Sequence, residues 1–241
     1  MVITVFGDLA QHRGGQISTA KLGEVLGRVG VEQGALRTAL SRLARDGWVQ
    51  AERMGRTSHY RLSQQGLARF APATVQIYAP AKVDPVKRWA MVLKLEASGR
   101  QKVTVCPLQD VVDQADCLVT GELGIVSAAY RALLLEDDHR IVLTALAADI
   151  ATLAKVEITD PLTAAAARVL LIHRWRRIVL RFPEIPWELM PSDAPLINPR
   201  HSVAQAYWRL SEQGEAWMDR DTATSVTGNQ ANGRFKPVQK G

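Results

Sequence analysis

"EQGALRTALSRLARDGWVQAERMGRTSHYRL", residues 32–62, changes its periodicity halfway along. In the first half Leu36, Ala39, Leu40 and Leu43 recur three and four apart, which at 100° per residue puts them on one helical face. Arg37, Thr38, Ser41, Arg42 and Arg45 fall on the other face. The second half alternates, turns at Met54-Gly55-Arg56 and alternates again, the pattern of a tight β-hairpin. Gly47 is suited to end the helix. Gly34 lies inside it, costing up to ~1 kcal/mol against alanine, so it marks a later helix start or a close approach to a partner.

Working upstream, "VITVFGDLA" (2–10) reads as a short apolar helix ending near Gly14-Gly15. Ser18 can cap a second helix with the stripe Leu22, Val25, Leu26 and Val29, and Gly30 suits its left-handed stop. Three helices and then a hairpin make a winged helix-turn-helix. An α-helix fits the major groove of DNA, and arginine's planar fork binds a guanine edge or a phosphate, with Thr and Ser doing so more weakly. Residues 37–45 are therefore expected to read the groove. Arg53, Arg56, Thr57 and His59 on the hairpin are expected to meet the neighbouring backbone or the minor groove.

The distribution of charge agrees. Residues 1–70 carry ten Lys/Arg against five Asp/Glu, residues 71–220 seventeen against eighteen, and residues 221–241 three against one. A positive field confined to one domain usually faces a polyanion. At 47% hydrophobic and 22% charged residues the 241-residue chain has a globular composition, with length for more than one domain. No apolar run approaches the ~20 residues that span a bilayer, and the N-terminus lacks the basic leader and cleavage site of a signal peptide. Cys106 and Cys117 make no disulfide framework, and the expectation is reduced thiols in a cytoplasmic protein.

Beyond the hairpin, the Pro-bearing linker "YAPAKVDP" opens a middle region. "RWAMVLKLEA", "KVTVCPL", "ADCLVTGEL" and "RIVLTAL" read as strands and "GIVSAAYRALLLE" as a helix, an α+β layer. The last third is helical. Asp160 and Pro161 begin one helix, whose Arg168, His173, Arg174, Arg176, Arg177 and Arg181 are expected on its polar side. "SVAQAYWRLSEQGEAWM" is a final amphipathic helix, with Trp187, Trp208 and Trp217 read as core or interface residues. Residues 221–241 are polar and Gly-rich and are expected to be disordered. The expected domains are thus 1–79, 85–150 and 151–220, followed by that tail.

"VITVFGD" (2–8), "LRTALSRLARDGWVQAERMGRTSHYRLSQQG" (36–66) and "HRWRRIVLRFPEIPWELMPSD" (173–193) resemble the PaaX family of bacterial repressors, over about residues 2–79 and 165–220. The resemblance implies a winged helix, a small ferredoxin-like middle domain and a helical C-terminal domain, hence an α+β fold class. It also implies a homodimer that represses phenylacetic acid catabolism and leaves double-stranded operator DNA on binding an aryl-acyl-CoA such as phenylacetyl-CoA. The chain departs from the family in its middle domain, where no glycine-rich "GFG" and no matching tryptophan-bearing strand is recognisable. For the effector, Arg174, Arg176 and Arg177 are the candidate phosphate ligands, since arginine binds such oxygens in pairs. The commoner use of such a basic helix face is pairing with acidic residues of the middle region or of a partner subunit.

Catalysis has little support. His12, His59, His139, His173 and His201 show no metal-ligand spacing, and no HExxH, CxxC, GxSxG, Walker loop or GxGxxG occurs. No catalytic residue, metal or cofactor is expected. The rival readings are a winged-helix protein-interaction module that binds no specific DNA, and an acyl-CoA-handling enzyme with an appended helix-turn-helix.

Overall fold

The computed structural model describes residues 1–55, 57–111, 115–220 and 233–236. In chain order its helices are α1 (Val2–Val5), α2 (Thr19–Arg28), α3 (Gln33–Arg45), α4 (Gln64–Ile77), α5 (Ala128–Leu134), α6 (Asp137–Lys155), α7 (Pro161–Val179) and α8 (Pro199–Asp219). The strands are β1 (Gln16–Ser18), β2 (Val49–Met54), β3 (Thr57–Leu62), β4 (Trp89–Leu95), β5 (Gln101–Pro107) and β6 (Cys117–Gly121). The fold is mixed helix and antiparallel sheet. It divides into two compact units, one of residues 1–81, 145–183 and 200–241, the other of residues 82–144 and 184–199.

In the first unit, the short side chains that favour caps do so here. Ser18 accepts from the amide of Lys21 at 3.2 Å to start α2, and Ser63 accepts from Gly66 at 2.9 Å to start α4. Asp160 does the same for α7, with Pro161 as first residue, where its missing N–H costs nothing. Gly30 and Gly47 leave α2 and α3 at φ 83° and 72°, a left-handed turn that glycine adopts without strain. β1 and β2 flank β3 in one antiparallel sheet, with Val49 opposite Leu62 and Arg53 opposite Ser58.

One core holds this unit together. Val5, Phe6 and Leu9 from the N-terminal turns meet Leu22 and Leu26 of α2, Leu36 and Leu40 of α3, and Val49 and Leu62 of the sheet. Ala165, Ala166 and Val169 of α7 and Trp217 and Met218 of α8 belong to the same core. The regions 1–79 and 151–220, expected as separate domains, therefore share one interior. The small residues of α7 make this possible by letting it lie close against α2.

Spacing assigns Arg168 to a polar helix side, and the structure corrects this: it is fully buried. Its Nε donates to Asp8 Oδ2 at 2.9 Å, neither side chain having any exposure, and its Nη1 lies 2.7 Å from Glu215 Oε1. Arg13 donates to Glu215 at 2.7 Å and also pairs with Asp219. Burial opposes the charge on Arg168, but Asp8, Tyr207 and Glu215 outweigh it and hold its proton more firmly than in free arginine. Part of the expected disordered tail is likewise in contact. Residues 233–236 are described, and Phe235 is buried between Tyr78 and Tyr207.

The second unit carries the sheet β5-β4-β6. β4 and β5 form a hairpin, turning at Gly99 with φ 78°, and Trp89 stands opposite Pro107. The stretch between β5 and β6 holds one short 3-10 turn, Leu108–Asp110, so no helix crosses over among the described residues there, in place of the expected ferredoxin-like order. "RIVLTAL" is also not a strand: it lies within α6. Its β-branched run reads either way in isolation, and the acidic start Asp137-Asp138 with the long alanine-rich continuation favours the helix.

A Cβ added to Gly66 would stand 2.2 Å from the carbonyl oxygen of Trp48, whereas one at Gly34 meets nothing within 4 Å. Thermal melts should therefore show Gly66→Ala well below the parent, because backbone must move. Gly34→Ala should match or exceed the parent by up to ~1 kcal/mol.

Candidate nucleic-acid interface

α3 begins at Gln33 after Glu32, so Gly34 sits in its first turn. Leu36 and Leu40 are buried to within 2% of complete, and Leu43 and Ala39 flank them. This fixes the rotation of the helix. Arg37, Thr38, Ser41, Arg42 and Arg45 are all exposed on the opposite side, gathered on one face as the spacing predicts.

Their neighbours set how free they are. Thr38 Oγ1 donates back to the carbonyl of Gly34 at 3.0 Å, which holds its hydroxyl against the helix. Arg42 Nε and Arg45 Nε stand 3.8 and 3.4 Å from Asp46, both as exposed pairs that contribute at most about 1 kcal/mol and yield readily to a stronger anion. Among the described residues no ion pair holds Arg37. The surface of α3 is thus a set of solvated cations on a rigid support, with one carboxylate at its C-terminal end.

The hairpin is less uniform. Thr57 is exposed beside the turn, and Arg53 donates from Nε to the carbonyl of Gly55 at 3.3 Å, which folds it over the tip. Arg56 lies outside the described residues. His59 sits mid-strand opposite Glu52 and Ser18, half-buried, with Nδ1 enclosed and unpartnered. Strand alternation turns one of its ring nitrogens inward, which the sequence alone did not reveal. Thr19 Oγ1 donates to the carbonyl of Ser58 at 2.9 Å and so ties the start of α2 to the hairpin.

The other basic cluster does not converge on one point. Arg174 pairs with Asp149 of α6, Arg176 Nη1 stands 3.4 Å from Thr4 Oγ1, and Arg177 is exposed. Residues 174 and 177, three apart, share a side of α7, while 176 lies on another. His173 Nδ1 stands 3.1 Å from the same Thr4 hydroxyl. Burial first, and then neighbouring positive charges including Arg176 and Arg177, push its pKa down to about 4.

Concavities among the described residues include two in which polar and apolar side chains meet. One of about 150 Å³ is lined by Val92, Lys94, Thr104, Cys106 and Asp110 in the second unit. Another of about 540 Å³ is lined by Gln11, Gln50, Arg61, Gln64 and Leu67 in the first. Only the latter falls in the range of sites that enclose a drug-sized ligand, about 300–1,000 Å³. Among the described residues no group of three His, Cys, Asp or Glu is placed to hold a metal, and both cysteines are free. No described helix is long and apolar enough to cross a membrane.

Residues 1–66 match the family model described as PaaX-like protein, and residues 122–220 match that of the PaaX-like protein C-terminal domain. The transcriptional repressor PaaX of Escherichia coli strain K12 is 28% identical over 267 aligned positions, covering 94% of this chain and 84% of that protein. A solved structure of the uncharacterized protein Rv0674 from Mycobacterium tuberculosis is similar at 18% identity and a TM-score of 0.48, covering 90% of this chain and 97% of that one.

The depressed pKa of His173 has a sign that can be measured. The unfolded chain takes up this proton near pH 6.5 and the folded chain only near 4, so the stabilising contribution is complete above about 6.5 and is lost as the pH falls towards 4. Denaturation midpoints followed from pH 7 to 4 should fall less in His173→Gln than in the parent.

Proposed function

This chain belongs to the PaaX-like family, and on that footing we propose that it is a DNA-binding transcriptional regulator, acting as a repressor through a winged helix-turn-helix formed by residues 1–79. The observation that carries this reading is the exposed face of α3, where Arg37, Thr38, Ser41, Arg42 and Arg45 stand together over a helix anchored by Leu36 and Leu40. A rigid helix with such an outer face suits the major groove, where guanidinium groups reach guanine edges and phosphates. Arg53, Arg56 and Thr57 of the hairpin serve the adjoining backbone. His59 contributes from one ring edge only, its other nitrogen being enclosed. As in the family that the chain belongs to, a repressor assignment needs no catalytic group.

The finer reading is that the protein works as a homodimer and leaves its operator when an aryl-acyl-CoA such as phenylacetyl-CoA binds. A ligand releases DNA only by favouring a state that binds DNA less well, and a ten- to hundred-fold response needs a preference of ~1.4–2.7 kcal/mol. Arg174, Arg176 and Arg177 remain the candidate phosphate contacts. Their divergence on α7 favours separate contacts over a single clamp.

The operator is first obtained by selecting genomic fragments on the purified protein. Arg37→Ala or Arg42→Ala should then cost ~1–3 kcal/mol of operator affinity with an unchanged melting temperature. Arg53→Ala should weaken all sequences alike and lower the slope of log K against log salt by about 0.9 for each phosphate that the variant leaves unneutralised. Parent-like operator binding by both α3 variants would overturn the groove assignment, whereas a protein that selects no DNA fragment would be a protein-interaction module.

Calorimetry with a panel of CoA thioesters tests the effector. An aryl-acyl-CoA is expected to bind and lower operator affinity at least ten-fold, and the free acid is expected to do neither. Replacing Arg176 and Arg177 together should remove the response and leave ligand-free DNA binding intact.

A further inference from the structure

Residues 233–236 lie against the first unit in a manner that resembles a bound peptide more than a terminal coil. The Arg234 guanidinium enters a pocket of acceptors: Nη1 donates to Asp8 Oδ1 at 2.9 Å and to the Asp8 carbonyl at 2.7 Å, and Nη2 to the Gly7 carbonyl at 2.6 Å. Its carbon lies 4.2 Å from the centre of the Tyr78 ring. Phe235 is 1% exposed and meets Tyr78 edge-on and Tyr207 at a tilt, with ring centres 5.5 and 5.3 Å away. The backbone is read as well. The Phe235 amide donates to the carbonyl of Tyr78 at 3.1 Å, and its carbonyl accepts from the Ala81 amide at 3.3 Å, so both polar groups of its backbone are held. Trp208 Nε1 donates to the carbonyl of Arg234 at 3.2 Å.

Two further observations show that the seat is built for this occupant. The first is charge. Among the described residues the buried carboxylates of Asp8 and Glu215 stand among the guanidinium groups of Arg13, Arg168 and Arg234, with the exposed Asp219 at the rim. His12 presents Nδ1 towards Arg234 Nη2 at 3.4 Å and Nε2 to Glu215 at 3.0 Å. Arg234 supplies the second cationic partner of the fully buried Asp8 carboxylate, on Oδ1 beside the Tyr78 hydroxyl, while Arg168 holds Oδ2. The second is strain. Phe235 has φ 60°, the one positive value among described non-glycine residues, and an L-residue stays there only when its surroundings over-determine it.

We propose that Asp8, Tyr78, Ala81, Tyr207 and Trp208 form a recognition site for an arginine–aromatic dipeptide, which the chain fills in cis with its own Arg234-Phe235. The site takes the guanidinium by paired acceptors, the ring by two tyrosines and the peptide by a two-way backbone bridge. The same segment that carries Asp8 also carries Phe6 and Leu9, which lie in one core with Leu36 and Leu40 of α3, so the state of the site bears on the support of that helix. The site's residues are distinct from the exposed face of α3.

The test uses the full chain with Arg234→Ala and Phe235→Ala, its folding checked by circular dichroism, and a fluorescein-labelled peptide of sequence ANGRFKPVQ (231–239). Fluorescence anisotropy should show saturable binding to the emptied variant and at least ten-fold weaker binding to the parent, whose site is occupied. A peptide with lysine for the arginine should bind the variant at least ten-fold more weakly, since an ammonium cannot span the paired acceptors. Should the double variant not fold, Arg234→Ala alone, which withdraws the guanidinium, takes its place in the same titration. Binding to neither chain, or equal binding to both, overturns the proposal, as does a lysine peptide that binds as well as the arginine one.

Discussion

The contact between Asp8 and Arg168 is the constraint on which the first unit depends. Both groups are fully withdrawn from water, and taking two ions out of solvent costs several kcal/mol each before their attraction offsets it. Such a pair survives only with good geometry and further partners, and here Tyr78, Glu215 and Arg234 supply them. Removing one member of a buried pair typically costs about 3–5 kcal/mol, because the other charge is then stranded. The pair therefore acts less as a source of net stability than as a condition on structure: the N-terminal turns, α7 and α8 have to assemble together.

That condition explains why the C-terminal helices are not a separate domain. Glu215 on α8 receives His12, Arg13 and Arg168 at once. Burial would raise its pKa, but the hydrogen bond from His12 and the charges of its arginine partners hold it well below the usual carboxylate range. Lys21 adds a second tie by donating to the carbonyls of Trp217 and Met218 at the end of α8, where a cation complements the helix dipole. The apolar packing of α7 on α2 and these polar ties enforce one arrangement. The helix that offers its arginines to solvent thus stands on a base contributed by residues more than a hundred positions away.

The two kinds of arginine in the unit follow from the same physics. On α3 they are solvated and easily redirected, as a surface meeting a polyanion requires. In the interior they are fixed by acceptors on several sides and carry the fold. Arg176 and His173 fall between these cases, half-buried beside Thr4, where burial lowers the pKa of both.

Much of the secondary structure was legible in the sequence because it depends on local chemistry. The stripe of α3, the caps Ser18 and Asp160, the glycine stops Gly30 and Gly47 and the hairpin at Gly55 are set by neighbours three or four residues apart, and so is the exposed face of Arg37, Thr38, Ser41, Arg42 and Arg45. The strand reading of "RIVLTAL" failed because a β-branched run alone does not separate a strand from a buried helix, and the acidic turn before it tips the balance to helix. Asp8, Arg168 and Glu215 were not legible at all. A charged residue in an amphipathic pattern is assigned to solvent by default, and only a partner brought from 160 positions away pairs it inside. The same holds for Arg234 and Phe235, whose polar, Gly-rich surroundings read as coil. Local periodicity determined which elements form and which face of α3 is free. Tertiary packing alone decided which charges are buried, because desolvation is compensated by groups that sequence spacing does not bring together.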